Sequence, residues 1–236
     1  MVPILRGRKY YKSFIGPCQN EMSALRWEDM TKQEPRPSQG KADRAWLLAI
    51  EAGLLKRIKR TGWWYAGIKD PESVADHSLR MSQLAFYLAT EEGADPFRAA
   101  TMGVFHDLPE TRMSDANAVV KRYWEHLADD EARAREEQLE GLPEGMKKTV
   151  ASLYQEWEAG TTPEARCARD ADYLECALQA AEYLWQEKSV CLEWLDSNTK
   201  KLTTATGKAL GARLRELLAS GDWEQFRNWW KPIYRR

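Results

Sequence analysis

Asp95-Pro-Phe-Arg-Ala-Ala-Thr-Met-Gly-Val-Phe-His-Asp-Leu-Pro-Glu110 is the stretch that decides how this chain folds. Asp95 followed by Pro96 reads as a helix N-cap with proline at the first helical position, where a missing N–H costs nothing. Phe97, Ala100, Val104 and Phe105 then recur at helical spacing, and Pro109 predicts the stop. At the end of this helix His106-Asp107 sets an imidazole beside a carboxylate, two ligand types that divalent metals favour.

Working upstream, Pro71-Glu72-Ser73 reads as another helix start, followed by Val74, Leu79, Met81, Leu84, Phe86 and Leu88. The short turn at Gly93-Ala94-Asp95 makes the two helices antiparallel neighbours. His77, near the start of one, and His106, near the end of the next, therefore fall at the same end of the pair. Farther upstream, Trp46, Leu47, Ile50, Leu54, Leu55 and Ile58 form one apolar stripe on a helix of about four turns, ended by Thr61-Gly62. Downstream, the pattern predicts a charged helix over 129–140, another from Pro143 to Trp157, a long apolar one from Pro163 to Gln186, one over 204–219 and a short Trp-rich one over 222–230. No segment alternates with period two, so no sheet is expected. The fold class is all-α, a compact helical bundle. Residues 1–42, ending in the Pro/Gly/Ser-rich run Glu34-Pro-Arg-Pro-Ser-Gln-Gly40, read as an N-terminal extension, 43–190 as the domain, and 191–236 as a helical extension packing on it.

Composition narrows the function classes. The 236 residues carry 30% charged side chains that balance to a net charge of −1, which argues against a uniformly basic nucleic-acid binder. No apolar run approaches the roughly 20 residues of a membrane span, and the short one after Met1 gives way to Arg6-Gly-Arg-Lys-Tyr, unlike a signal peptide. Cys18, Cys167, Cys176 and Cys191 have no CxxC spacing and read as small apolar residues of a reducing, cytoplasmic compartment. Thr206-Gly207-Lys208 lacks the upstream glycine and preceding strand of a phosphate loop. The 11 Trp suit cores, pockets or a subunit contact.

Taken together, Ser73-Val-Ala-Asp-His77-Ser, Phe105-His-Asp-Leu-Pro-Glu110 and the later Asp172-Tyr-Leu-Glu resemble the H…HD…D signature of the HD superfamily. Arg60-Thr-Gly-Trp63 and Pro71-Glu-Ser-Val-Ala-Asp-His77, with Glu110, Asp115 and Lys121 in the spacing HDxxE….D…..K, resemble its 5′-deoxynucleotidase branch. The likeness covers residues 45–190. It implies an HD-type bundle, one divalent transition metal (Co, Mn, Ni, Fe or Zn) held by His77, His106, Asp107 and an aspartate, and a homodimer. Periodicity leaves Asp170 and Asp172 both open for the fourth ligand, because the helix is apolar on both sides. The family register takes Asp172, ten residues before Glu182. Only His126 remains among the three histidines, too few for a second metal.

The implied activity is removal of the 5′-phosphate from deoxyribonucleoside monophosphates by metal-activated water. In that reading Glu110, one turn after Asp107, is the general acid/base, and Asp115 meets the sugar hydroxyl or orders the nucleophile. Arg60 and Lys121 hold the phosphate, and Trp63 flanks the sugar or base. A dNTP triphosphohydrolase and a cyclic-nucleotide phosphodiesterase are enzymatic alternatives on the same scaffold. An inactive interaction module is the non-enzymatic one.

Overall fold

The computed structural model describes residues 40–228 and 231–234; residues 1–39 of the expected 1–42 extension, Cys18 among them, and the Trp229-Trp230 pair lie outside the described residues. The elements are α1 (Lys41–Ala52), α2 (Val74–Glu91), α3 (Pro96–Phe105), α4 (Glu110–Met113), α5 (Leu127–Leu139), α6 (Glu144–Ala159), α7 (Pro163–Trp185), α8 (Cys191–Thr199), α9 (Ala205–Ser220), α10 (Trp223–Arg227) and α11 (Lys231–Tyr234). Short 3₁₀ turns occupy Gly53–Lys56, Thr61–Ala66 and Val120–Arg122. Among the described residues there is no strand, only one isolated antiparallel bridge between Lys59 and Ser73.

Side-chain caps fix where the helices that carry the histidines begin. Ser73 and Asp76 form a reciprocal capping box on α2, with Asp76 N–H donating to Ser73 Oγ (3.1 Å) and Ser73 N–H to Asp76 Oδ2 (2.9 Å). On α3, Asp95 accepts from the amides of Phe97 and Arg98, with Pro96 at the first position. The two helices cross closely at Gly103. A Cβ there would lie 2.7 Å from Ser82 Oγ and 3.0 Å from Ser82 Cα, so only glycine permits this approach. The crossing sets the His77 and His106 rings 5.4 Å apart, centroid to centroid.

Helix α7 runs through the middle and is buried on both sides. Ala165, Ala168, Ala171 and Leu174 pack with Met81, Ala85 and Leu88 of α2 and Met102 of α3. Ala177, Ala180, Ala181 and Tyr183 pack with Trp63, Leu195 of α8 and Leu214 and Leu217 of α9. Small residues along α7 let these neighbours approach closely.

Two expectations are corrected. The first helix ends at Ala52 rather than at Thr61-Gly62; the chain tightens through Gly53–Lys56 and then runs to the bridge at Lys59. The predicted apolar stripe also divides: Trp46 (70%) and Ile50 (67%) are exposed, whereas Leu55 and Ile58, beyond the helix, pack in the core, and on the helix Leu48 turns inward instead. Helix α8 lies within the expected helical extension 191–236 but is not predicted as a separate element, and the turn over Thr61–Ala66 has no counterpart in the sequence-based expectation. The Thr206-Gly207-Lys208 run is the first turn of α9, capped by Thr204, whose Oγ1 accepts from Gly207 N–H.

Substituting Gly103→Ala should cost about 1–3 kcal/mol in chemical denaturation, because the added methyl has backbone against it. The same variant should bind divalent metal more weakly, by isothermal titration, since the α2–α3 spacing sets the distance between the histidines.

Candidate metal centre and active site

At the end of the α2–α3 pair three donors come together. Single ligand atoms of His77, His106 and Asp107 all lie within 4.8 Å of one another. Asp107 Oδ2 is 3.0 Å from His106 Nε2 and 3.8 Å from His77 Nε2. Asp172, arriving on α7, places Oδ1 3.3 Å from His77 Nε2.

The far side of each imidazole fixes its tautomer. His77 Nδ1 meets Glu175 Oε2 at 2.5 Å and His106 Nδ1 meets the Gly103 carbonyl at 2.9 Å. Both partners are acceptors, so each Nδ1 carries the proton and each Nε2 is left to face the cluster. Both Nε2 atoms are buried without a hydrogen-bond partner among the described residues. Two orphaned imidazole nitrogens beside two carboxylates fit a divalent cation of the imidazole- and carboxylate-binding kind. A second grouping, Glu72, His77 and Glu175, is a poorer candidate, because His77 Nδ1 is already bonded to Glu175.

Glu175 is in turn held by Arg80, whose Nε and Nη2 both donate to Oε1 at 2.9 and 2.7 Å. Arg80 also reaches Gln179 and Glu182. Burial works against the charge on Glu175, but His77 and Arg80 keep its carboxyl below the usual range. For His77, burial and then Arg60 oppose protonation, yet Glu175 and Asp172 outweigh them and push the imidazole up to about 10.

Asp170 and Asp172 separate cleanly. Asp170 is fully buried and accepts from the backbone and hydroxyl of both Thr203 and Thr204, fastening the start of α9 to α7. Asp172, two residues on, faces the histidines instead.

Asp107, Asp172 and His106 border a cavity of about 510 Å³, together with Glu110, Arg60 and Lys121. Burial pushes the Glu110 carboxyl well above its ordinary range, and Asp107 and Asp115 add to the effect. Arg60 Nη1 lies 3.5 Å from Asp107 Oδ2 and 4.0 Å from Asp115 Oδ1. Asp115 Oδ2 accepts from Thr61 N–H at 2.6 Å, so it ties down the residue after Arg60. Ser114 makes the turn that aims Asp115 inward, at φ 67°, a backbone region that side chains rarely enter. Lys121 is exposed on the rim. Trp63 borders the cavity but is only 2% exposed; its ring packs on Tyr183 and Trp194 and its Nε1 donates to Glu72. His126 is on the surface, 3.8 Å from Asp129, and does not line this cavity.

The model of the HD domain family matches residues 52–213, a span that holds the whole cluster. This chain belongs to the HD domain family. Its HD domain is 35% identical over 133 residues to the 5′-deoxynucleotidase HDDC2 of Danio rerio, covering 56% of this chain and 65% of that protein. It thus spans a little under two thirds of that relative's length. The Dictyostelium discoideum protein of the same name is 33% identical over 69% of this chain and 92% of its own. Among solved structures, a predicted metal-dependent phosphohydrolase from Magnetospirillum magnetotacticum is 25% identical at TM-score 0.59, covering 80% of this chain and 95% of that one. A conserved hypothetical protein from Pyrococcus furiosus is 29% identical at TM-score 0.61, over 73% and 99%.

Sequence reasoning passed over Glu175, Arg80 and the lining of the cavity by α8. Glu175 had a readable signal, an acid one turn after Asp172 on a helix apolar all round. The α8 residues had none, because the segment read only as part of a helical extension, with nothing to say which face would meet the cavity.

Without a cation, Glu175 and Asp172 favour a second proton on His77, at Nε2, and binding a cation there must displace it. Titration of the metal-free protein with Zn²⁺ or Mn²⁺ at pH 7.5 should release about one proton per ion from this imidazole, read from calorimetric enthalpies in buffers of different ionisation heat. Glu175→Gln should weaken the affinity about 10–100-fold.

Proposed function

We propose that this HD domain is a metal-dependent phosphohydrolase that removes the 5′-phosphate of deoxyribonucleoside monophosphates, with one divalent ion held by His77, His106, Asp107 and Asp172. One observation carries the reading: two imidazole Nε2 atoms, with tautomers set by Glu175 and Gly103, converge with two aspartates on a nucleotide-sized cavity edged by Glu110 and Arg60. The name 5′-deoxynucleotidase borne by its relatives supports the substrate class. The absence of His126 from the cavity favours a single ion over a pair.

Held there, such an ion would acidify a water and polarise a phosphoryl oxygen. The chain's own groups do the rest. Glu110, whose carboxyl is pushed toward its protonated form by burial and by its acidic neighbours, is suited to give a proton to the departing 5′-oxygen. Arg60 offers a planar fork to two phosphate oxygens, and Lys121 adds a positive charge at the rim. Asp115 holds Arg60 in place through Thr61 while its other oxygen stays close to the guanidinium. Trp63, packed behind the cavity edge, serves as a rigid wall beside the sugar. The exposed apolar stripe of α1, Trp46 and Ile50, suits the contact of a homodimer, to be read as a two-chain mass by light scattering. The free thiols of Cys167, Cys176 and Cys191 accord with a reducing cytoplasm, and no described helix is long and apolar enough to cross a membrane.

Incubation with dAMP, dATP and cAMP in the presence of Mn²⁺ or Co²⁺, followed by product analysis, should give deoxyadenosine and phosphate from dAMP at the highest kcat/KM. Tripolyphosphate from dATP, or AMP from cAMP, as the main product would replace this reading with one of the two other activities. Asp107→Ala should abolish turnover, and Glu110→Gln should lower kcat about 10²–10⁴-fold while binding metal normally. Full activity in Asp107→Ala would refute the site.

A further inference from the structure

Four side chains at helical spacing, Trp194, Ser197, Asn198 and Lys201, line the cavity along one face of α8 and the turn that follows it. None of them is hydrogen-bonded or ion-paired to the histidine–aspartate cluster, and in the proposed reading Arg60, Glu110 and Lys121 take the phosphate end. The α8 face is therefore the part of the lining left for the rest of a nucleotide. Trp194 brings an aromatic surface, stacked obliquely on Trp63 at 5.8 Å between centroids. Lys201 Nζ sits 5.0 Å over the ring of Tyr173, another residue of the lining.

Asn198 is the group with directional information. It is 7% exposed, and its Nδ2 donates to the Trp194 carbonyl at 2.8 Å and to Cys176 Sγ at 3.2 Å. Both amide N–H bonds are thus spent inside the protein, which fixes which way the amide faces. Its Oδ1 has no hydrogen-bond partner among the described residues, and the side chain borders the cavity. A rigid amide that lines a cavity and can only accept will favour a ligand that donates. Leaving that acceptor unmet on binding would cost free energy.

We propose that the α8 face receives the nucleoside and that Asn198 Oδ1 accepts a hydrogen bond from it, making Asn198 a specificity-determining residue. The inference rests on the nucleotide reading above. In deoxyadenosine two groups supply such a donor, the amino group of the base and the 3′-hydroxyl of the sugar. Aromatic Trp194 beside the amide would stack on base or sugar without choosing among them.

The test compares kcat/KM for dAMP, for the 5′-monophosphate of purine 2′-deoxyriboside (dAMP without its amino group) and for 2′,3′-dideoxyadenosine 5′-monophosphate. Each is measured on the wild type, Asn198→Ala and Asn198→Leu with saturating Mn²⁺. Both variants should lose about 3–10-fold on dAMP, chiefly in KM, and lose nothing on the analogue that lacks the donor. An unaffected purine analogue assigns the base amine; an unaffected dideoxy analogue assigns the sugar hydroxyl. Ratios between substrates on one preparation are insensitive to a lowered folded fraction. An equal loss on all three substrates, or no loss on any, overturns the proposal, as does a wild type that uses all three equally well. A wild type that hydrolyses none of them overturns the nucleotide reading, and this inference falls with it.

Discussion

A histidine ring clamped on one nitrogen so that the other is left unbonded is the constraint on which this site depends. His77 is fully buried, and its Nδ1 lies against Glu175, itself gripped by two nitrogens of Arg80. A buried carboxylate without such partners would be expelled or neutralised. Here the acid is retained because a cation stands on each side of it. The consequence reaches the cavity: with Nδ1 engaged, only Nε2 can face Asp107 and Asp172. His106 repeats the device more cheaply, using the carbonyl of Gly103 in its own last turn.

Gly103 joins the fold to the chemistry. The absence of its side chain lets α2 and α3 touch, and its carbonyl orients His106. Helix α7 completes the arrangement from the other side, since Asp172 and Glu175, one turn apart, meet His77 at its two nitrogens. Three helices thus converge on one imidazole, and the alanines along α7 make that convergence possible. The rest of the cavity is added by less regular backbone, with Arg60 and Asp115 held together through Thr61. The uncommon backbone at Ser114 sits where the chain must turn sharply to bring Asp115 back to Thr61.

The charges of the cavity are arranged unevenly. Arg60 faces Asp107 and Asp115, whereas Glu110, close to the same two acids, is driven toward its neutral form. Two carboxyl groups three residues apart, Asp107 and Glu110, are therefore pushed in opposite directions by their surroundings: against its burial, His106, His77 and Arg60 pull Asp107 down, while burial, Asp107 and Asp115 raise Glu110. Such a separation suits the two roles proposed for them, one carboxylate for a cation and one carboxyl for proton transfer.

Local sequence determined the helices that carry the histidines, because caps and periodicity act over a few residues: Ser73 with Asp76, Asp95 with Pro96, and the antiparallel turn between α2 and α3. It also placed His77 and His106 at one end of the pair and His106 beside Asp107. Three things were decided only by the tertiary structure. The stripe of α1 was legible as amphipathic, but which way it would face depended on partners remote in sequence, and Trp46 and Ile50 turned out to solvent. Asp170 and Asp172 could not be told apart by periodicity on a helix buried on both sides; the threonines before α9 claimed the first and His77 met the second. Arg80 and the face of α8 acquired their roles from residues nearly a hundred positions away or from a helix with no strong signal of its own. Periodicity reports that a side chain will be buried, and only the packed fold determines what it is buried against.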